Sequence, residues 1–183
     1  TVDIADVVVN DTMYFEYGYL PLIVVPDNYS TIQEAINHAN QGGTILVRNG
    51  IYYEHIVVNK TVSLIGESNE LTIIDGNNIG SVVAIRANNI TMSGFTVQNS
   101  GTWADSCIGL DNDNYGIEIY TGTMNSFYHN SFINNNLQVH LYQLSSNSWD
   151  DGYPSGGNYW SDYNGTDLYS GPYQNETGSD GIG

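Results

Sequence analysis

A pattern of short apolar segments recurs after 22 residues in the second half of the chain. Gly116–Tyr120 is followed by Asn125-Ser126-Phe127, and Gln138–Tyr142 is followed in the same register by Asn147-Ser148-Trp149. The segments are too short and too rich in β-branched residues and Asn to be helices. Short alternating strands that recur at such a period, with Asn and Gly between them, are typical of one coil of a β-solenoid.

The repeat also predicts contacts between coils. Equivalent positions of a solenoid stack, so we expect three stacked pairs: Ile117 with Val139, Ile119 with Leu141, and Asn125 with Asn147. Asn tolerates left-handed turns and can bond to the coil above or below it, so we interpret Asn125 and Asn147 as a structural ladder.

An earlier coil aligns on this repeat only if an insertion separates them. Asn88–Phe95 matches Asn125–Phe132 at an offset of 37 residues, and the extra 15 residues lie between Ser100 and Asn114. Further strands are predicted from Thr44 onward, so about five coils of roughly 22 residues fit before Trp149.

The rest of the chain divides into three predicted regions. Residues 1–20 form an arm, residues 21–149 form the solenoid, and residues 150–183 form a segment rich in Gly and aromatic residues. Residues 31–39 are the one good helical window, with Ser30 or Thr31 as N-cap and an apolar stripe. A single amphipathic helix before many strands suits a cap over one end of the solenoid.

The charge of the chain excludes several partners. Three Lys and Arg stand against 20 Asp and Glu, which gives a net charge of −17. Nucleic acid and anionic membrane surfaces require basic patches, so neither is an expected partner. No apolar run approaches the roughly 20 residues that span a bilayer, so membrane insertion is not predicted.

Six N-x-Ser/Thr sequons indicate an extracellular glycoprotein: Asn10, Asn28, Asn59, Asn89, Asn164 and Asn175.

Two stretches carry a family resemblance. Tyr29–Ile36, with Gly42–Val47 and Gly50–Glu54 after it, resembles the start of right-handed parallel β-helices shared by pectin methylesterases and NosD-like, CASH-type proteins. Gly157–Tyr163 and Gly178–Gly183 resemble the end of NosD-like domains in secreted archaeal surface proteins, notably those of methanogens. The resemblance implies an all-β, right-handed parallel β-helix at a cell surface.

Catalytic residues are not predicted. The paired-Asp segment and neighbouring Arg of pectin methylesterases have no match here, and the three basic residues all precede residue 87. A chain of this charge would also repel polyuronate. Paired carboxylates could hydrolyse a neutral glycan, and we interpret the candidates as solvated turn acids: Asp111, Asp113, Glu118, Asp150 and Asp151.

Two oxygen-rich turns are candidate Ca²⁺ sites. Asp111 and Asp113 begin a D-x-D-x-x-G sequence, but Gly122 stands where an EF-hand carries Glu, which leaves only a looser cage. Asp162, Asn164 and Asp167 form the second turn. No other cofactor is predicted.

Two functions are consistent with these patterns. The first is a structural cell-envelope protein, in a sheath, surface layer or filament, that assembles with copies of itself through solenoid edges and the N-terminal arm. The alternative is a carbohydrate-binding or weakly hydrolytic β-helix module of a larger surface protein. Its sugar platforms would be the aromatic residues Trp103, Trp149, Trp160 and Tyr163, which otherwise pack the loop and tail onto the solenoid.

Overall fold

Three parallel β-sheets wind into a solenoid in a computed structural model of the chain, which describes residues 12–15, 18–101, 114–166, 168–171, 173 and 175–179. The first sheet contains five strands, β3 (Ile23–Val25), β4 (Gly43–Val47), β7 (Val62–Gly66), β10 (Thr91–Ser93) and β13 (Ser126–Tyr128). The second also contains five, β5 (Gly50–Tyr52), β8 (Thr72–Asp75), β11 (Thr96–Gln98), β14 (Ser131–Ile133) and β16 (Tyr159–Trp160). The third contains four, β6 (Ile56–Val58), β9 (Val83–Ile85), β12 (Tyr115–Ile119) and β15 (Leu137–Leu141).

Each of the four complete coils contributes one strand to each sheet, and β3 and β16 belong to partial coils at the two ends, so the predicted right-handed parallel β-helix is confirmed. Every pairing within the three sheets is parallel, as crossovers around a solenoid require. Two antiparallel hairpins lie outside the sheets, β1 (Thr12–Phe15) with β2 (Gly18–Pro21) and β17 (Tyr169–Ser170) with β18 (Glu176–Thr177). Residues 1–11, 16 and 17 of the predicted arm lie outside the described residues.

The 22-residue repeat is confirmed as the register of β12 on β15. Ile117 pairs with Val139 and Ile119 with Leu141. The Asn125 N–H donates to Asn147 Oδ1 over 3.2 Å, so the predicted ladder forms. One coil earlier, Asn125 Oδ1 accepts the N–H of Ile90 over 2.9 Å.

The predicted offset of 37 residues is wrong by two. Thr91 pairs with Ser126 and Thr96 with Ser131, and 35 residues separate the coils. The alignment placed Asn88 on Asn125, whereas the structure places Ile90 opposite that amide. A shift of two residues preserves which side chains face inward, because strand side chains alternate with period two.

The interior is filled by stacked aliphatic and Phe side chains. Phe95, Phe127 and Phe132 are the largest fully buried residues among those described. Helix α1 (Ile32–His38) covers the first coil with Ile32, Ala35 and Ile36, all fully buried. Of its two predicted N-caps, Thr31 has this role, since its Oγ1 accepts the Glu34 N–H. Within the described residues, no helix has the length and apolarity to cross a membrane.

Candidate functional site

A groove of about 610 Å³ lies where the turns from the first to the second sheet stack on one another. It crosses three successive coils, and residues 155–159 form its far wall. Its lining comes from four separate parts of the chain, namely residues 65–69, 93–94, 129–130 and 155–159. Two other cavities, of about 390 and 30 Å³, are smaller, so this groove is the first place to look for a ligand site.

Gly66 and Gly94 line the groove at a point where the backbones of two successive coils lie too close for a side chain. A Cβ on Gly66 would lie 2.0 Å from the Gly94 carbonyl oxygen, and a Cβ on Gly94 would lie 2.3 Å from that of Gly66. Gly94 also has a φ of +78°, which disfavours L side chains. The two backbones therefore approach closely, and no side chain fills the space above them.

Stacked asparagines fix the far wall. The Asn130 N–H donates to Asn158 Oδ1 over 3.1 Å, and the Asn130 Nδ2 donates to the Met92 carbonyl over 2.9 Å. The Asn158 Nδ2 donates to the carbonyls of Phe127 and Trp149, each over 2.8 Å. These amides are committed to the backbone, so they preform the wall rather than bind a ligand.

Glu67 is the charged group in the lining. Its Oε2 accepts the Asn49 N–H over 3.0 Å, and its Oε1 lies 3.8 Å from Arg48. Arg48 is closer to Asp27, at 2.7 Å, so Asp27 is its main partner and Glu67 the weaker one. Of the described residues that line the groove, none is Lys or Arg. The groove is therefore polar and weakly acidic.

His129 and Ser155 meet at the rim in an arrangement that looks catalytic at first sight. His129 Nε2 lies 2.9 Å from the Ser155 carbonyl oxygen and 3.1 Å from Ser155 Oγ. The Ser155 hydroxyl donates to Asp151 Oδ2 over 3.1 Å. A carbonyl so close to Nε2 requires that Nε2 carry the proton, so His129 is not placed to accept the serine proton. The three groups fasten the loop to the coil.

Tyr159 supplies an aromatic face at the groove. It lies on β16, lines the groove and is 59% exposed. A solvated ring beside hydrogen-bonding groups is the combination that pyranose rings stack on.

The predicted sugar platforms divide by environment. Trp149 stacks on Phe127 at 4.7 Å and Trp160 on Phe132 at 4.5 Å, so both pack against the core. Tyr163 is 66% exposed and lines a second, shallower cavity of about 390 Å³ beside β15. Trp103 lies outside the described residues. Tyr163 is therefore the predicted platform that remains accessible.

The structure describes part of the predicted calcium turns. Asp162 and Asn164 are exposed, while Asp111, Asp113 and Asp167 lie outside the described residues. Across the described part of the chain, no cluster of three or more His, Cys, Asp or Glu could hold a metal ion. Calcium binding stays a prediction.

Five sequon asparagines are exposed, Asn28, Asn59, Asn89, Asn164 and Asn175, and Asn10 lies outside the described residues.

The groove residues Glu67, His129, Ser155 and Tyr159 were not predicted. They come from different coils, and nothing in their local sequence marks them as neighbours. One signal was available, because Gly156-Gly157 after Ser155 interrupts the strand pattern where the wall turns over the groove.

Comparison with known proteins supports the fold and goes no further. No family model matches the sequence, and no curated protein matches it. Among solved structures, pectin methylesterase PemA from Erwinia chrysanthemi superposes with a TM-score of 0.51 at 19% identity, over 64% of this chain and 44% of that one. Pectin methylesterase from carrot gives 0.49 at 18%, over 65% and 41%.

The chain thus spans less than half the length of these enzymes. At 19% identity the likeness to PemA defines a class by fold, the parallel β-helix proteins. The NosD-like and archaeal assignment stays a prediction.

Proposed function

We propose that this chain is a carbohydrate-binding β-helix module whose glycan lies in the groove. The observation that carries the proposal is the exposed ring of Tyr159 beside the polar lining of a preformed groove. The groove volume of about 610 Å³ falls in the range of pockets that hold drug-sized ligands, which is room for a short oligosaccharide. The parallel β-helix fold shared with PemA is consistent with this proposal.

The expected ligand is a neutral glycan. Glu67 contributes a negative charge to the lining, no described lining residue is basic, and the whole chain carries a net charge of −17. A polyuronate would therefore approach against the field of the protein and find no cation in the groove to pair with. Hydroxyl groups of a neutral sugar can instead donate to Glu67 and bond to the hydroxyls of the rim.

Binding is proposed rather than hydrolysis. Glycoside hydrolysis needs two carboxyl groups, roughly 5 to 9.5 Å apart, on either side of the scissile bond. Among the described lining residues Glu67 is the one carboxylate, and Asp151 is bonded to Ser155 at the rim. The enzymatic part of the alternative function thus has no residue pair in this groove to carry it.

A glycan array followed by calorimetric titration tests the proposal. The expected result is binding of a neutral oligosaccharide and none of polygalacturonate. Replacing Tyr159 by Ala should weaken binding by about tenfold or more, because a stacked ring contributes on the order of 1.4 kcal/mol. Tyr173→Ala is the matched control, since Tyr173 is 84% exposed and lies outside the groove lining. Equal loss with both variants, or binding to no glycan, would exclude the groove.

A structural cell-envelope protein is the second candidate function. One observation favours it: the last coil leaves the outer edge of β15 without a paired strand among the described residues. Helix α1 covers the opposite end, so stacking of coils end to end in a filament would require that helix to move aside. Electron microscopy of the native protein tests this candidate, which predicts sheets, tubes or fibres at a cell surface.

A further inference from the structure

The groove runs along the axis of the solenoid, across the direction of the strands. Its lining begins with residues 65–69 of the coil that contains β7, and continues through residues 93–94 and 129–130 of the next two coils. It ends with residues 155–159 at β16. At every level the lining lies in or next to the turn between the first and second sheets. Because these turns stack directly on one another, the groove is straight.

Glu67 and Tyr159 mark opposite ends of the groove. Glu67 directly follows β7, and Tyr159 begins β16, which pairs with β14. Three steps from strand to strand separate the two levels, because the second sheet runs from β8 through β11 and β14 to β16. At about 4.8 Å per step, the two side chains belong to levels about 14 Å apart along the axis.

That separation sets a minimum length for a ligand that reaches both ends. Since covalent bonds between the ring atoms are about 1.5 Å long, one sugar unit adds roughly 5 Å to an extended chain. One or two sugars are therefore too short to contact Glu67 and Tyr159 together, whereas three or four sugars bridge the distance of about 14 Å.

The lining also sets an upper limit. No described residue of the coil that contains β4 lines the groove, and the turn after β4 carries Arg48, which is paired with Asp27 over 2.7 Å. At the other end, β16 is the last strand of its sheet among the described residues. A fifth or sixth sugar would extend past the lining at one end or the other, so it should add little affinity.

The floor between the two ends favours an extended chain over a coiled one. Gly66 and Gly94 carry no side chain that could interrupt the path, and Ser93 between them is small and nearly buried. Cello-, manno- and chito-oligosaccharides have equatorial linkages and extend. Malto-oligosaccharides have an axial linkage and coil, so they would curve away from a straight floor.

We propose, resting on the proposed function, that the groove binds an extended neutral glycan of at least three sugars along the solenoid axis. One end of the glycan stacks on the exposed ring of Tyr159, and the other donates hydroxyl hydrogen bonds to the Glu67 carboxylate. Glu67 Oε1 can accept such bonds, because its nearest cation, Arg48, is 3.8 Å away and is bound more closely by Asp27. The groove thus selects its ligand by length.

Calorimetric titration of the full chain with oligosaccharide ladders tests the proposal. The probes are cello-, manno- and chito-oligosaccharides of one to six sugars, with malto-oligosaccharides of the same lengths for comparison. In at least one extended ladder, affinity should rise by about tenfold or more from two sugars to four, and by less than about twofold from four to six. A disaccharide that binds as tightly as the tetrasaccharide overturns the proposal, as does a coiled ladder that binds as tightly as the best extended one.

The same titrations distinguish this proposal from the proposed function. If no array glycan and no ladder binds, both are overturned. If a single sugar or a branched array glycan binds, no extended ladder does, and Tyr159→Ala weakens that binding, the groove remains a glycan site. In that case only the selection by length is overturned.

Substitutions at the two ends test the orientation. Glu67→Gln removes the charge and keeps an oxygen for the Asn49 N–H. It should weaken tetrasaccharide binding by about fivefold or more and change disaccharide binding by less than about twofold, since a disaccharide held at Tyr159 does not reach Glu67. Tyr159→Ala should weaken the binding of both lengths, because both stack on the ring.

Glu70→Gln is the matched control for Glu67→Gln. Glu70 is an exposed acid in the same turn, between β7 and β8, and it does not line the groove. Its substitution should change the binding of either length by less than about twofold. Circular dichroism and thermal melts establish that each variant is folded. If Glu67→Gln affects both lengths equally, or affects neither, the proposed path from Tyr159 to Glu67 is wrong.

Discussion

The two ends of the solenoid are finished in different ways. At the covered end, which comprises α1 and β3, the helix buries Ile32, Ala35 and Ile36 against the first coil. At the open end, which comprises β15, Trp149 and Trp160, two indole rings are stacked on the last phenylalanines and remain half-buried. Helix α1 removes the apolar surface of the first coil from water, whereas the two indole rings cover only part of the apolar surface of the last coil.

Charged side chains hold the helix of the covered end at both of its termini. The Glu54 carboxylate accepts the N–H groups of Ile32 and Gln33 over 2.9 and 3.0 Å, at the start of α1. The Lys60 ammonium donates to the carbonyls of Asn37 and Ala39 over 2.9 and 3.1 Å, at its end. An acid at the helix N-terminus and a base at its C-terminus both match the helix dipole. These hydrogen bonds therefore fix α1 on the first coil.

Truncation of a buried residue under α1 should give the largest effect. Ile36→Ala is expected to lower the free energy of unfolding by about 3 kcal/mol, because Ile36 is fully buried and the cavity cannot close against a β-solenoid wall. Urea unfolding followed by circular dichroism measures the loss. Asn37→Ala, on the exposed face of the same helix, should cost less than about 1 kcal/mol. Similar losses at the two positions would show that α1 does not seal the core.

The open end should lose less from removal of a larger side chain. Trp160→Ala is expected to cost about 2 kcal/mol, because the ring is half-buried and its main partner is Phe132. Trp160→Phe keeps a ring on Phe132 and should recover about half of the loss. The measurement is again urea unfolding. A loss larger than that of Ile36→Ala would reverse the comparison of the two ends.

The hydrogen bonds from α1 to Glu54 should contribute less to the free energy of unfolding than the apolar face of the helix. Glu54→Ala removes the acceptor for two N–H groups and should cost about 1.5 kcal/mol. Glu70→Ala, which removes an exposed acid between β7 and β8, should cost less than about 0.5 kcal/mol. Hydrogen exchange should show faster opening of α1 in Glu54→Ala alone. Unchanged exchange would mean that packing by itself holds the helix.

Much of the fold was predictable because solenoid repeats are local. The 22-residue repeat gave the pairing of Ile117 with Val139, and the i, i+3, i+4 stripe gave the cap helix. The predicted offset was wrong where successive coils differ in length. Sequence identity favours matching Asn88 with Asn125, whereas in the structure the N–H of Ile90 donates to Asn125 Oδ1. Strand alternation still placed the right side chains in the core.

The groove was not predictable for the opposite reason. Gly66, Gly94 and Tyr159 become neighbours only after four coils are stacked, and each lies in or next to a turn between the first and second sheets. The role of Glu54 was hidden in the same way, because it caps a helix that begins 22 residues earlier in the chain. Contacts between coils depend on the exact register of the strands. The burial of a strand residue depends only on which face of the sheet it occupies, and that alternates from one residue to the next.

The smallest expected effect is a pH dependence at the covered end, where Arg48 stands beside Asp27. The hydrogen bond from Arg48 is the main cause that lowers the pKa of Asp27 below its ordinary value of 3.8, the positive charge of Arg48 adds to it, and burial opposes both. A carboxyl whose pKa is lowered on folding stabilises the protein above its ordinary pKa. That contribution is lost as the pH falls through the lowered value. The pair is exposed to solvent, so the contribution is small.

Thermal melts of wild type and Asp27→Asn between about pH 7 and pH 2 measure this contribution. Asp27→Asn should melt slightly below wild type at neutral pH, and the two curves should merge at the acid end, where the wild-type carboxyl is protonated. Asp162→Asn provides the control at the open end, since it removes an exposed acid from a region in which the sequence has no Lys or Arg. Relief of like-charge repulsion should leave its melting temperature equal to that of wild type or slightly above it. If both substitutions lower the melting temperature alike, the Arg48 pair does not distinguish the two ends electrostatically, and the distinction rests on α1 and its buried face.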